Sequence, residues 1–289
     1  MAEDPQPPFD SLLVLSFGGP EGHDDVIPFL ENVLRGKNVP RERMLEVAEH
    51  YYQFEGVSPI NAQNRALIAA LETELRRRDI QLPIYWGNRN WHPLLVDTLR
   101  QMVADGRKRA LAFFTSIFSS YSGCRQYREN IAVAQAAVGP QAPQVEKVRM
   151  GFNHPEFIAA QSELLETALR KLVNPSTATV LFSAHSIPLS MSENCRYVEQ
   201  LRSAAELIAQ AVGVPNWEIV YQSRSGPPSQ PWLEPDVCDR IAQLATSGVK
   251  SLALVPLGFI SLTENLMMIG MAVWMALAAL GVAPGGIHP

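Results

Sequence analysis

The 289-residue chain has few cysteines and few clustered basic residues, and both shortages exclude classes of protein. Cys124, Cys195 and Cys238 are far apart and form no C-x-x-C pair, so neither a disulfide framework nor a cysteine metal site is expected. The net charge is −5, and no basic run is longer than the triplet 76–78, which argues against nucleic-acid binding. The acidic, proline-rich residues 1–10 lack the basic, apolar and small-residue stretches that follow one another in a signal peptide. We interpret them as a loose leader of a cytoplasmic protein.

Motifs for phosphate binding and for serine hydrolysis are also missing. Gly18 and Gly19 follow an apolar run, but Pro20 removes an amide donor and no G-x-G-x-x-G or Walker lysine pattern is present. No G-x-S-x-G sequence is present either, so an α/β-hydrolase with a serine nucleophile is not favoured.

The sequence does contain short apolar runs that alternate with amphipathic segments. The composition, 47% hydrophobic and 18% charged, is that of a globular protein. The predicted strands are 12–17, 83–87, 109–114, 144–150, 177–182, 217–222 and 251–256. The predicted helices are 25–34, 42–52, 63–78, 95–104, 127–137, 157–172, 197–212 and 236–245. This alternation predicts an α/β protein with parallel sheets.

The two halves of the chain repeat one another in pattern. Residues 15–20 and 183–188, 86–90 and 221–225, and 104–112 and 246–253 correspond in the same order. We therefore predict two similar Rossmann-like, doubly wound lobes, 11–155 and 156–289. Ligands bind beyond the carboxyl ends of strands in such sheets, so the active cleft is expected between the lobes.

The segment 266–283 contains no charged residue and is nearly all apolar. Eighteen residues is the lower limit for a membrane span, and we favour a buried helix on grounds of length. A peripheral contact with a membrane through this segment stays open.

His185 and Glu264 are the leading candidates for chemistry. His185 follows an apolar run at the end of a predicted strand, where an imidazole can bind a divalent metal of the iron class or accept a proton. The alternative is a histidine held by hydrogen bonds in a core or loop. Glu264 is the only acid after Lys250, and a carboxylate facing His185 would balance metal charge; the alternative is a solvated glutamate at a helix start.

Aromatic and arginine side chains cluster near the predicted strand ends. Phe17, Tyr51 and Tyr127 belong to a set suited to the walls of a flat apolar macrocycle, although ordinary core packing explains most such residues. Arg35 and Arg89 are among the guanidinium groups that could pair with ligand carboxylates, with structural ion pairs as the alternative.

These motifs together resemble the ferrochelatase family. Residues 182–188 (F-S-A-H-S-I-P) resemble its S-A-H-[SG]-[LI]-P metal-site motif, and 56–59, 232–237 and 256–261 also match its pattern, over 12–261 as a whole. The stretches 16–20, 85–93 and 122–128 are similar to the branch that makes coproporphyrin-type haem. The resemblance implies a chelatase-like fold and insertion of ferrous iron, as substrate, into a porphyrin, with coproporphyrin III favoured over protoporphyrin IX.

The resemblance also implies roles for individual residues. His185 would be the metal ligand or proton acceptor, and Ser58 and Tyr127 would contact the porphyrin propionates, with Tyr51 and Arg35 nearby. Phe17 stands where some members carry a tyrosine that ligates iron, and a phenyl ring cannot ligate. We expect a cytoplasmic monomer that binds a porphyrin and no nucleic acid.

The chain departs from the family pattern after residue 261. The usual Asp-His pair is absent, Glu264 lies one place early, and the chain ends short of the family's usual end. Cys124 matches one ligand position of a [2Fe–2S] cluster that some members carry, but no cysteine follows Cys238, so no cluster is expected. Two alternatives remain: a non-catalytic porphyrin or haem binder, and a chelatase for another tetrapyrrole, such as a cobalt enzyme of the sirohydrochlorin type.

Overall fold

The computed structural model describes residues 8–224 and 229–257. These divide into two compact units. Within the described part, unit 1 consists of 8–115 and 126–149, and unit 2 consists of 116–125 and 150–257. The predictions for Glu264 and for the segment 266–283 lie outside the described residues.

Unit 1 is built around a parallel sheet of four strands in the order β2-β1-β3-β4. The strands are β1 (Ser11–Ser16), β2 (Ile84–Asn88), β3 (Arg109–Phe114) and β4 (Gln144–Lys147). All six residues of β1 are buried, because this strand lies between two others and its sheet carries helices. That burial on both faces explains the continuous apolar run in the sequence.

The described part of unit 1 has five α-helices: α1 (Val26–Leu34), α2 (Arg41–Tyr52), α3 (Ile60–Arg77), α4 (Leu95–Ala104) and α5 (Gln126–Val138). On α4 the buried residues Leu95, Leu99 and Met102 recur at helical spacing and pack in one cluster with Leu13 and Leu15 of β1. A short 3-10 turn, His23–Asp25, leads directly into α1.

Unit 2 has a parallel sheet of three described strands in the order β6-β5-β7. These are β5 (Thr179–His185), β6 (Trp217–Gln222) and β7 (Leu252–Pro256). Its helices are α6 (Pro155–Leu169), α7 (Leu189–Ser192), α8 (Tyr197–Val212) and α9 (Val237–Thr246), with a 3-10 turn at Pro175–Thr177. The residues 121–125 form a π-helical turn within this unit.

Local sequence signals explain where several unit 2 helices begin and end. Pro155 is the first residue of α6, and the side chain of His154 accepts a hydrogen bond from the amide of Glu156. The carboxylate of Asp236 caps α9 by accepting from the amide of Cys238 at 2.8 Å. Gly213 ends α8 in the left-handed conformation, φ 75°, which glycine adopts without steric cost.

The predicted α/β architecture with parallel sheets is confirmed, and most element boundaries differ from the prediction by one to three residues. The largest difference of interest is β5, which was predicted to end at Phe182 and continues to His185. Pairing with β6 extends the strand, since Ala184 lies opposite Tyr221 and His185 opposite Gln222. Among the described residues, no helix is long and apolar enough to cross a membrane.

Candidate functional site

His185 is the last residue of β5, the central strand of unit 2. The five residues before it, 180–184, are buried, whereas His185 itself is exposed. β5 pairs in parallel with β6 and β7. In such sheets ligands bind beyond the carboxyl ends of the strands, which is where His185 lies. The imidazole predicted from the sequence to lie at a strand end therefore does lie there, open to a ligand.

Hydrogen bonds fix the backbone at this histidine and directly after it. The hydroxyl of Tyr197, the first residue of α8, donates to the carbonyl oxygen of His185 at 3.0 Å. The amide of Ser186 donates to the carbonyl of Gln222 at 2.8 Å, and the Ser186 hydroxyl donates to the carbonyl of Leu233 at 2.9 Å. The strand end is thus tied to α8, to β6 and to the segment before α9.

Partial burial of the imidazole lowers the pKa of His185 below its ordinary value of 6.5. Desolvation disfavours the charged form, although the side chain still reaches solvent at the strand end. The imidazole of His185 therefore stays neutral at lower pH than the side chain of a free histidine does. A neutral imidazole is the form that can coordinate a metal or accept a proton.

The segment 116–125 packs on the same unit as His185. Phe118 is buried and places its ring at an edge-on angle to Phe157, 6.1 Å between centroids, and to Tyr197, 6.2 Å. The amide of Ser119 donates to the side-chain oxygen of Gln200 at 2.7 Å, and the Gln200 side-chain nitrogen donates to the Ser119 hydroxyl at 3.1 Å. The stretch 116–122 is therefore anchored on α6 and α8 of unit 2.

In unit 1, Phe17 and Tyr51 both pack against Phe29. The ring of Phe29 lies edge-on to Phe17 at 6.2 Å and to Tyr51 at 5.9 Å between centroids. Trp91 also lies edge-on to Phe29, at 6.2 Å. Phe17 and Tyr51 are half-buried, so each keeps part of its ring at the surface of this aromatic cluster. Burial raises the pKa of Tyr51, whose hydroxyl stays protonated near neutral pH.

Arg89 connects this cluster to Tyr127. Its guanidinium lies over the Tyr127 ring, 4.6 Å from the centroid, and over the Phe17 ring at 5.5 Å, while its Nε donates to Asn130 at 2.8 Å. Tyr127 is buried and stacks on Phe114 at 4.9 Å, and burial raises the pKa of its hydroxyl even though Arg89 acts in the opposite sense. The Arg89 guanidinium therefore contacts both Phe17 and Tyr127, which are two of the predicted porphyrin contacts.

Ser58 and Arg35 lie at other points of unit 1. The amide of Ser58 donates to the carbonyl of Pro20 at 2.8 Å. A Cβ on Gly19 would approach the Ser58 hydroxyl to 2.6 Å, so the Gly19 position requires glycine for this close packing. Arg35 follows the end of α1, and its side chain is exposed.

Metal ligands do not cluster in the described part of the chain. Among residues 8–224 and 229–257, no group of three or more histidine, cysteine, aspartate or glutamate side chains is arranged to hold a metal ion. Glu264, the predicted partner of His185, lies beyond that part. Cys124 is a half-buried free thiol in the π-helical turn of 121–125.

Sequence reasoning did not identify the contacts that support His185. The hydrogen bonds of Tyr197 with His185 and of Gln200 with Ser119 join residues 12 and 81 positions apart. Bonds over such distances leave no periodic pattern in the sequence, so these contacts were not predicted. Tyr197 is the first residue of an amphipathic helix, and that pattern accounts for the burial of its ring but not for the hydrogen bond of its hydroxyl.

Two solved structures share this architecture. SirB from Bacillus subtilis, solved with Fe³⁺, has a TM-score of 0.52 at 12% sequence identity, over 94% of this chain and 98% of that protein. A multi-domain protein of Deinococcus radiodurans with structural similarity to chelatases has a TM-score of 0.51 at 13% identity, over 92% of this chain and 54% of that one. At such identities the likeness shows the fold alone, which is the predicted chelatase-like fold.

Sequence comparison narrows this class to one family. A model of the ferrochelatase family matches residues 10–268. A ferrochelatase from Rhodopirellula baltica is 64% identical over 257 residues, which are 88% of this chain and 73% of that protein. The coproporphyrin III ferrochelatase of Streptomyces coelicolor is 49% identical over 274 residues, with the same two coverages. The chain belongs to the ferrochelatase family, as the motif around His185 predicted.

Proposed function

We propose that this protein inserts ferrous iron into coproporphyrin III, with His185 at the reacting centre. The observation that carries the proposal is the exposed imidazole at the end of β5, on a residue whose backbone is fixed by hydrogen bonds and whose pKa is lowered by partial burial. Membership of the ferrochelatase family supports iron insertion. The name of the Streptomyces coelicolor relative supports the choice of coproporphyrin III.

The chemistry asks two things of the protein side chains. Two pyrrole protons must leave the ring as the metal enters, and a neutral imidazole can accept a proton or coordinate the incoming iron. We assign one of these roles to His185. Glu264 is proposed as the second acid-base group and metal contact, because it is the only carboxylate that follows β7 in the sequence.

Porphyrin binding is proposed for the aromatic and polar residues of unit 1. Phe17 and Tyr51 offer half-buried ring faces for an apolar macrocycle. Arg35 has an exposed guanidinium suited to a propionate, and Ser58 and Tyr127 are assigned to propionate contacts by the family resemblance. Phe17 supplies packing and no ligand to iron.

The first experiment measures anaerobic ferrous iron insertion by the purified chain. Coproporphyrin III and protoporphyrin IX are compared side by side, and the loss of free-porphyrin fluorescence gives the rate. We expect turnover with a higher kcat/KM for coproporphyrin III. Tight binding of both porphyrins without turnover would instead support a non-catalytic porphyrin binder, and turnover only with another tetrapyrrole or with cobalt would refute the substrate.

The role of His185 is tested with His185→Ala. We expect insertion to fall by about 100-fold or more, as for removal of a positioned acid-base group. His50→Ala is the matched control, since His50 is an exposed histidine on α2. Wild-type activity in His185→Ala would refute the assignment.

The role of Arg35 is tested by the affinity for the porphyrin. Arg35→Ala should raise the KM for coproporphyrin III by about ten-fold, the effect of losing one charge-assisted hydrogen bond. Arg43→Ala is the control, because Arg43 is exposed and pairs with Glu46 on the surface of α2. An unchanged KM in Arg35→Ala would remove this residue from the binding site.

A cytoplasmic, monomeric state is part of the same proposal, with peripheral membrane contact through 266–283 as its open alternative. Sedimentation of the purified chain and fractionation of cells test both points. Recovery in the membrane fraction that is lost when apolar residues of 266–283 are replaced by serine would favour the membrane contact. A single species of about 32 kDa in the soluble fraction would favour the cytoplasmic monomer.

A further inference from the structure

Tyr197 contacts the candidate reacting residue through its backbone and not through its imidazole. The hydroxyl donates to the carbonyl oxygen of His185 at 3.0 Å, across the gap between the first residue of α8 and the last residue of β5. On the β7 side, the pairing of β5 ends at Ser183, two residues before His185, whereas on the β6 side His185 is still paired with Gln222.

The ring of Tyr197 is itself held from the other side. It is 6% exposed, and it meets Phe118 edge-on at 6.2 Å. One helical turn further on, Gln200 makes two hydrogen bonds to Ser119, so the segment that carries Phe118 is fixed on the same face of α8. The Tyr197 hydroxyl therefore has little freedom to leave the His185 carbonyl.

We propose that Tyr197 is a positioning residue for metal insertion: its hydroxyl sets the orientation of the His185 peptide, and thereby the direction of the imidazole. The inference rests on the proposed role of His185. Without the Tyr197 hydroxyl, the described residues hold this peptide only through the Ser186 amide, which donates to Gln222, so the His185 carbonyl can tilt. A small displacement of a reacting group lowers the rate of the chemical step more than it lowers binding. Tyr197 does not touch the metal or the porphyrin in this role.

The test is Tyr197→Phe in the full chain, because phenylalanine keeps the ring contact with Phe118 and removes only the hydroxyl. We expect kcat for iron insertion to fall about three- to ten-fold, the factor that corresponds to one net hydrogen bond. The dissociation constant for coproporphyrin III, measured by fluorescence in the absence of metal, should stay unchanged. A purely structural role would lower the melting temperature without this division between kcat and binding.

Tyr221→Phe is the matched control. Tyr221 lies on β6 beside Ala184 and is 5% exposed, so it is buried like Tyr197, but its hydroxyl makes no hydrogen bond within 8–224 and 229–257. This variant should keep the wild-type kcat. An unchanged kcat in Tyr197→Phe, or an equal loss in Tyr221→Phe, would overturn the inference.

A second measurement covers the case in which Tyr197→Phe folds poorly. Phe118→Leu keeps the hydroxyl but removes the ring that Tyr197 packs on, and it should also lower kcat at constant porphyrin affinity. In the same series, the amide resonance of Ser186, which belongs to the His185 peptide, should shift in Tyr197→Phe. An unshifted resonance would overturn the inference even if the wild-type chain proved inactive, whereas wild-type inactivity alone would refute only the proposed function.

Discussion

The hydrogen bond from the Ser186 hydroxyl to the Leu233 carbonyl makes a measurable contribution to stability. Ser186 is buried, and the bond length is 2.9 Å. Ser186→Ala removes the donor and leaves a carbonyl in a partly buried segment with one partner fewer. A buried hydrogen bond between neutral groups contributes about 0.5–1.5 kcal/mol, and an unsatisfied partner adds to the loss, so we expect a destabilisation of about 1–2 kcal/mol.

The assay is urea unfolding followed by circular dichroism, with the melting temperature as a second readout. In a chain of this size, 1 kcal/mol corresponds to about 2–4 °C, so the expected decrease is about 2–8 °C. Because the chain has two compact units, unfolding midpoints are compared only between curves of equal slope.

Ser190→Ala is the control for Ser186→Ala. Ser190 lies four residues further along on α7 and is exposed, so its change should stay within about 0.5 kcal/mol. Equal stability of the two variants would refute the conclusion that the Ser186 hydroxyl ties the strand end to the segment before α9.

Three further outcomes follow from the geometry. Phe182→Ala should destabilise by about 3–5 kcal/mol in urea unfolding, because this fully buried ring leaves a cavity, whereas Phe54→Ala should change little since Phe54 is 71% exposed. Asp236→Ala should cost about 1 kcal/mol of stability through loss of the α9 cap, and Asp236→Asn should retain most of it; equal losses in both would contradict the cap. Two arginine partners lower the pKa of Glu74 from 4.5 to about 2, so its stabilising effect is complete above pH 4.5 and is lost as pH falls towards 2. Glu74→Gln should therefore reduce the loss of stability between pH 5 and pH 3, measured from urea midpoints, by no more than about 1 kcal/mol because solvent screens the pair. The same dependence on pH in the variant and the wild type would contradict the lowered pKa.

Local patterns were sufficient to predict most of the elements. The apolar run of β1 predicted a buried strand, and the pattern of 63–78 predicted the helix α3, because side-chain periodicity follows directly from backbone geometry. Alternation of the two kinds of element then predicted parallel sheets. The end of β5 was placed three residues early, since only its pairing with β6 extends the strand to His185.

The candidate site was predicted only as a set of residues. The sequence indicated His185 because an imidazole after an apolar strand must lie at the carboxyl edge of a parallel sheet. It indicated Phe17, Tyr51 and Tyr127 as aromatic residues near strand ends, but not that Phe29 joins the first two or that a guanidinium covers the third.

The sequence by itself determined the family, the α/β class and the identity of the exposed histidine, because each depends on residue types in fixed local order. Only the tertiary structure decided that 116–125 packs with α8, and that the Tyr197 hydroxyl and the Gln222 carbonyl hold the two sides of the His185 peptide. The physical reason is that hydrogen bonds and ring contacts between distant segments depend on how helices and strands pack, and packing leaves no periodic signal along the chain.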